Sequence, residues 1–299
     1  MEVLKWVGEQ PELRSPVLVA AFAGWNDAAS AATTALEAVA VSLDAERVAT
    51  IDPEEFYDFQ VARPTIRMTD GQAREVDWPD NGIFTAVAPA AERDLVLVAG
   101  IEPNLRWRTF AEAVIEAAER LGVEMVVTLG ALLADVPHTR AVPITGLASD
   151  PDLVERLSLS RSNYEGPTGI VGIVHDACRR RELTSASLWA AVPHYVAAVP
   201  NPKAALALLR RAESLTGIAV EASELEEAAE RFEEQIDRAV GANPEIQDLV
   251  RRLEEEQAES IELDEELDVP SGDSIAIPVK ASSRRSSASA AFGLGTAAT

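Results

Sequence analysis

The sequence has little of what builds metal, redox or nucleic-acid sites. It holds one cysteine, Cys178, and three histidines among 299 residues. A disulfide framework and any multi-cysteine zinc or iron–sulfur site are excluded, and three scattered histidines give no metal-ligand spacing. Aromatic residues make up only 5%, so Ala and Val carry much of the apolar content. No apolar run approaches the roughly 18 residues that a membrane span needs, and no membrane association is expected. The first 15 residues include Glu2, Glu9 and Glu12 and no apolar segment, so they do not resemble a secretory signal and a cytoplasmic location is expected. Basic residues are scarce, 26 Lys and Arg against 50 Asp and Glu for a net charge of −24. That balance argues against a nucleic-acid partner, which is held by Lys and Arg displacing counterions. Several catalytic signatures are missing: the phosphate-cradling GxxxxGK[ST], a GxGxxG after the first strand, the GxSxG elbow and the HExxH zinc helix. No cofactor and no metal is therefore expected, and the balance tips away from an enzyme.

What is present is a sizeable core and an uneven charge. Apolar residues make up 47%, enough for one large domain or two small ones. Residues 221–273 carry 20 acidic and 4 basic residues, two thirds of the whole excess. Such a run is either a solvated face or a docking surface for a basic partner.

Short continuous apolar runs at 17–22 (VLVAAF), 94–101 (DLVLVAGI) and 123–129 (VEMVVTL) have the character of strands buried on both faces. Residues 46–51, 83–87 and 187–192 are further candidate strands. A helix is expected over 28–43, capped by Asn26 or Asp27, with Ala31, Ala35, Leu36 and Val39 on one face. Thr109 and Glu112 form a capping box for a second helix, ended by Gly122. Asp150-Pro151, Asn201-Pro202 and Asn243-Pro244 each suit an N-cap followed by Pro at the first helical position, opening helices near 151–157, 202–215 and 244–257. Residues 170–181 form another. Alternating strands and helices over 1–218 predict an α/β domain with a mostly parallel sheet. Ser223 and Glu226 form a further capping box, and two apolar stripes broken at Gly241-Ala242-Asn243-Pro244 predict an acidic, amphipathic helical hairpin over 219–258. Residues 259–299, acidic and then Ser/Ala-rich, are expected to be a disordered tail.

Open parallel sheets bind ligands outside the carboxyl ends of their strands, and polar residues gather there in this sequence. Asn26 and Asp27 follow the first run, Glu102 and Arg106 the second, and Asp135, His138 and Arg140 the third. His194 follows the strand near 187–192, and Glu165 precedes the helix at 170, whose N-terminus suits an anion. These nine form the candidate pocket, with carboxylates as acid/base groups and Arg106 or Arg140 as anion clamp. Each also has a simpler role: Asp27 as a helix cap, Glu102 and Arg106 as a loop ion pair, His138 and His194 as turn histidines after prolines. Asp27, Glu102, Asp135 and His138 are expected on one rim of the sheet.

The same segments carry a resemblance: Gly24-Trp25-Asn26-Asp27, Gly100-Ile101-Glu102-Pro103-Asn104-Leu105-Arg106-Trp107, the stretch 130–140 (GALLADVPHTR), 164–169 (YEGPTG), and 187–195 (SLWAAVPHY) with Pro200-Asn201-Pro202. Together they resemble the proteasome assembly chaperone 2 family in its longer actinobacterial form, over about 17–257. The resemblance implies a three-layer α/β/α fold like that of nucleoside phosphorylases, and a non-enzymatic role binding proteasome subunits. Members that dock on proteasome rings often end in a hydrophobic residue, Tyr and any residue. This sequence ends Gly295-Thr296-Ala297-Ala298-Thr299, so that terminal mode is not expected. A homo-oligomer is expected, with a trimer as the specific form. The alternative is an enzyme or small-molecule binder acting on an anionic or nucleoside-like ligand at the strand ends.

Overall fold

In the computed structural model the described residues are 3–8, 10–69, 73–149, 165–196 and 200–266. The expected helix near 151–157 lies outside them, as do Tyr164 and residues 267–299 of the expected tail. The described residues up to 258 form one compact unit.

The strands are β1 (Leu4–Trp6), β2 (Val17–Ala23), β3 (Glu46–Ile51), β4 (Thr65–Thr69), β5 (Ala73–Asp77), β6 (Asn81–Ala86), β7 (Leu95–Ile101), β8 (Met125–Ala134), β9 (Ile144–Ala148) and β10 (Thr184–Pro193). Eight of them make one sheet in the order β1-β3-β6-β7-β2-β8-β10-β9, and β4 and β5 pair separately as a two-stranded ribbon. The runs at 17–22, 94–101 and 123–129 are β2, β7 and β8, with β2 lying between the other two. They are mutually parallel, with Val17 level with both Leu95 and Met125. β10 extends the parallel set beside β8, and β6 and β9 flank it antiparallel.

The absence of alternation in β2 has a direct cause: both faces are covered. Val17, Val19 and Ala21 join one cluster with helix α1 (Ala31–Ser42) and helix α4 (Pro202–Thr216). Leu18, Ala20 and Phe22 join the opposite cluster with α2 (Trp107–Arg120) and α3 (Ile170–Arg180). The result is three layers, α/β/α. Each fully buried Leu, Val or Phe side chain contributes about 1.5–3 kcal/mol. Phe22, Phe56 and Phe110 meet edge to face at 5.4 and 5.7 Å. Small side chains on α1 (Ala31, Ala32, Ala35) let it lie close on the sheet.

Helix α5 (Ser223–Gly241) lays Leu225, Ala229, Phe232 and Ile236 inward, packing against α4, and α6 (Pro244–Glu266) follows the turn at Asn243. Helix α6 runs past the expected end at 257.

Three expected helix starts are corrected. Helix α1 begins at Ala31 rather than 28, because Ala29 and Ser30 take left-handed φ of 51° and 54° and residues 28–30 form a separate tight turn. Helix α2 begins at Trp107, after Arg106 at φ 54°, so Thr109 lies inside the helix and forms no cap. Helix α5 has Ala222 at its N-cap; the Ser223 amide donates instead to Glu221 Oε1 at 2.9 Å. The Asn201 cap stands, its Oδ1 accepting from the Ala204 amide at 3.0 Å. Sequence reading missed β1, β4, β5 and β9.

Candidate functional site

The rim at the carboxyl ends of β2, β7, β8 and β10 carries most of the nine candidate residues. From β2 the chain goes to one side of the sheet, through β3, β6 and β7, before crossing to β8 on the other. The end of β2 is thus a topological switch point, where open α/β sheets leave a crevice. Here the chain plugs it.

After β2, Gly24 takes φ 136° and passes so close beneath Glu102 that a Cβ would sit 3.2 Å from the Glu102 Cβ. Asn26 and Asp27 then turn inward and are buried. The Ala131 amide of β8 donates to the Asn26 carbonyl at 2.8 Å. Asn26 Nδ2 donates to Glu102 Oε1 at 2.7 Å, and the same oxygen accepts from the Ile170 amide, the first of α3, at 2.8 Å. One carboxylate oxygen therefore ties the ends of β2 and β7 to a helix N-terminus, where negative charge also suits the helix dipole. Asn26 Oδ1 lies over Gly169, where a Cβ would come within 2.3 Å. Asp27 Oδ1 accepts from the Ala32 amide at 2.7 Å, and its other oxygen accepts from the Thr33 hydroxyl. Burial pushes the Asp27 carboxyl above its ordinary value, against the lowering effect of these donors. These are the bonds of a structural joint.

A second group lies where β8 and β10 end. Buried His138 Nδ1 meets the Tyr195 hydroxyl at 2.7 Å, and Nε2 meets Asp237 Oδ1 of α5 at 3.0 Å. The His138 amide donates to the same hydroxyl at 2.8 Å. A neutral ring satisfies the set when Nε2–H donates to Asp237 and Tyr195 donates to Nδ1. Lys203 Nζ donates to the His138 carbonyl at 2.6 Å and pairs with Glu233 at 2.9 Å. The Thr139 hydroxyl donates to Glu254 of α6. Asp135, largely exposed, pairs with His194 Nδ1 at 3.1 Å. Burial raises the Tyr195 hydroxyl.

The remaining candidates stand apart. Arg106 pairs with Glu55 beside the end of β7. Arg140 and Glu165 are exposed. Asp27, Glu102, Asp135 and His138 thus lie along one rim but each bonds a different set of partners, Glu102 reaching Asn26, the chain neighbour of Asp27. The crevice bordered by His138, Arg140, Asn201, Lys203 and Phe232 holds about 10 Å³, room for a single water. An open groove of about 340 Å³ lies between Thr34, Pro200, Pro202, Arg231 and Phe232. Among the described residues no cluster of three or more His, Cys, Asp or Glu could hold a metal, and no helix is long and apolar enough to cross a membrane. Cys178 is buried in the core, its thiol pushed up to about 12, which leaves it inert.

Sequence reasoning missed Asp237, Lys203 and Glu233. It also missed the exposed apolar side chains that join Trp25 on the same rim: Ile101, Leu105, Leu132 and Leu133.

The sequence profile of the PAC2 family matches residues 21–240. The chain belongs to the PAC2 family. A PAC2 family protein from Streptomyces avermitilis is 48% identical, with 79% of this chain and 99% of that one covered and a TM-score of 0.74. A proteasome-assembly chaperone homologue from Mycobacterium tuberculosis is 45% identical, with 78% and 99% covered and a TM-score of 0.72. An archaeal proteasome activator from Pyrococcus furiosus, 18% identical over 80% of this chain and 99% of its own, has a TM-score of 0.66. That last likeness is one of fold. The sequence matches no curated protein. The PAC2 fold is therefore common to this chain and these proteins.

Proposed function

We propose that this PAC2 protein is a non-enzymatic binding factor that engages proteasome subunits during their assembly, and that it acts as a homo-oligomer. The observation that carries the reading is the contrast along the rim. At the switch point Asn26 Nδ2, both Asp27 oxygens and Glu102 Oε1 are bonded within the chain, with Asn26 Oδ1 alone left without a partner, and the crevice beside His138 has room for one water. Drug-sized or nucleoside-sized ligands need clefts of about 300–1,000 Å³ with polar groups turned into them; the groove of about 340 Å³ has that size but is lined by none of the nine candidate residues. Large apolar side chains instead face outward on that rim, with Trp25 66% exposed. The Trp25 loop is locked from beneath by Asn26 and Asp27, so the indole is presented at little ordering cost, as interface anchors are. The likeness to a proteasome-assembly chaperone homologue supports proteasome subunits as the partner class.

The test is co-expression with α- and β-type proteasome subunits from the same source, followed by co-purification and native mass measurement. The expected result is capture of subunits or part-assembled rings, reduced at least tenfold by Trp25→Asp and by Leu133→Asp. Capture unchanged by both variants, or no capture at all, overturns the reading. Saturable binding of a nucleoside or phosphate at the rim would favour the small-molecule alternative.

A further inference from the structure

Helices α1 and α5 both pack on α4. The Glu221 amide, just before α5, donates to Ser42 Oγ, at the end of α1, at 2.9 Å. The start of α1 lies instead beside the middle of α5, so the two helices run antiparallel. There they are parted by the open groove of about 340 Å³. Pro200, Pro202 and Phe232 give this groove apolar surface, and Thr34 of α1 borders it together with Ala228 and Gln235 of α5. Residues four and seven apart share a helix face, so Ala38 and Val41 continue the wall begun by Thr34. Val41 is 71% exposed there.

The lips of the groove are acidic. Glu37 lies one turn past Thr34, and Glu224 one turn before Ala228, so both extend the walls toward Ser42 and Glu221. Both are exposed, and among the described residues neither enters an ion pair. Arg231, which also borders the groove, is already paired with Glu227 at 3.1 Å.

A small-molecule site encloses most of its ligand. This groove is open along its length and walled by two helices, the form that takes an amphipathic helix by its apolar stripe. From Thr34 to Ser42 the wall runs about 12 Å, two turns of a docked helix. Unpaired carboxylates on both lips attract cationic flanks and repel anionic ones. We infer that the groove between α1 and α5 docks a basic amphipathic helix of a partner protein. Its apolar stripe lies on Pro200, Pro202 and Val41, and its Lys or Arg side chains lie between Glu37 and Glu224. This surface is separate from the Trp25 rim, and the inference stands apart from the subunit capture proposed above.

The test is fluorescence anisotropy of the full chain with a labelled helical peptide of about four turns, carrying Leu on one stripe and Lys on both flanks. A second peptide has the same composition with its Leu positions scattered around the helix. Saturable binding of the striped peptide is expected, at least tenfold tighter than that of the scattered one. Ala228→Trp, which fills the groove, should weaken it at least tenfold with unchanged circular dichroism. Glu37→Gln combined with Glu224→Gln should weaken it at least threefold at low salt, and changes exposed side chains only, so it reports even where Ala228→Trp disturbs α5. Glu116→Gln combined with Glu230→Gln, an equal charge change at exposed positions away from the groove, should bind as the parent does. So should Trp25→Asp, which lets helix docking and subunit capture fail separately. Equal binding of the two peptides, or an equal loss in the Glu116 and Glu230 variant, would reduce the effect to general attraction by an acidic surface and overturn the inference. No saturable binding overturns it, as does a Glu37 and Glu224 variant that binds as the parent does. Self-association of the parent that Ala228→Trp abolishes would give the groove to a second copy and overturn it too.

Discussion

Two polar groups share one rim and differ in what they hold. The Asn26–Glu102–Ile170 joint connects parts of the α/β layers to each other: two strand ends and a helix start, all against buried side chains. The His138–Tyr195–Asp237 clamp connects the sheet rim to the acidic helix α5, and its outer partner Asp237 is 58% exposed. In the joint a single oxygen satisfies two donors, so nothing replaces it when it is lost. In the clamp, Lys203 and Glu233 bond in parallel with His138, and water reaches one side. The joint should therefore be a global stability element and the clamp a local one.

The largest expected effect breaks the joint. Glu102→Ala leaves the Ile170 amide and the buried Asn26 amide unsatisfied, at about 1–3 kcal/mol for each orphaned group. A loss of about 3 kcal/mol is expected, with Glu102→Gln losing less because an acceptor oxygen remains. Urea unfolding measures it; equal losses for both variants would mean that charge, not the acceptor, matters. Gly169→Ala should rank with Glu102→Ala, since its Cβ would overlap Asn26 Oδ1 and Nδ2.

His138→Ala comes next, at about 1–2 kcal/mol. Its signature is positional. Amide exchange in α5 around Ile236 should rise at least tenfold while β2 and β8 stay protected. Exchange that rises equally in the sheet would make the clamp as global as the joint.

The difference between joint and clamp also explains what was legible in the sequence. Val17, Leu95 and Met125 belong to continuous apolar runs, and such runs have one reading, a strand covered on both faces. The joint's residues stood out because they directly follow those runs, and Asn26, Asp27 and Glu102 were all named from that position. Their bonds were not legible, because a strand end states where a carboxylate is and not which amide it meets. The clamp was half visible. His138 and His194 follow prolines at strand ends, but Asp237 lies 99 residues beyond His138. A signal for it existed: Glu233 and Asp237 sit one turn apart, each one place after a buried stripe residue, Phe232 and Ile236. Polar residues bordering a stripe meet whatever the stripe packs on. The ribbon was missed although Ile66, Met68, Val76 and Trp78 alternate, because two five-residue segments are short.

Titration sharpens the comparison through a histidine held by the layers themselves. His175 of α3 bonds Thr128 of β8 at 2.8 Å through Nε2, and loss of hydration pushes its pKa down to about 4. The unfolded chain has an ordinary value near 6.5. Between those values the unfolded state binds more protons, so stability falls as pH drops from about 6.5 to about 4. His175→Gln should flatten that slope in urea midpoints.

The smallest expected effect is in the acid limb, at a pair remote from both groups. Asp94 is buried at the head of β7 and accepts from Arg14 through Nε at 3.1 Å, from the Arg14 amide at 2.8 Å and from the Ala88 amide at 3.0 Å. The Arg14 guanidinium, with these amides, holds its pKa down to about 2. A depressed carboxylate contributes stability above its unfolded value, near 3.9, and that contribution is lost as pH falls through about 2. Arg14 is half exposed, so solvent screens the pair, and Arg14→Gln should lower the urea midpoint at neutral pH by less than the joint and clamp variants do. The cost should shrink toward pH 2, where the parent has lost the same interaction. A cost that persists undiminished at pH 2 would assign Arg14 a packing role rather than an electrostatic one.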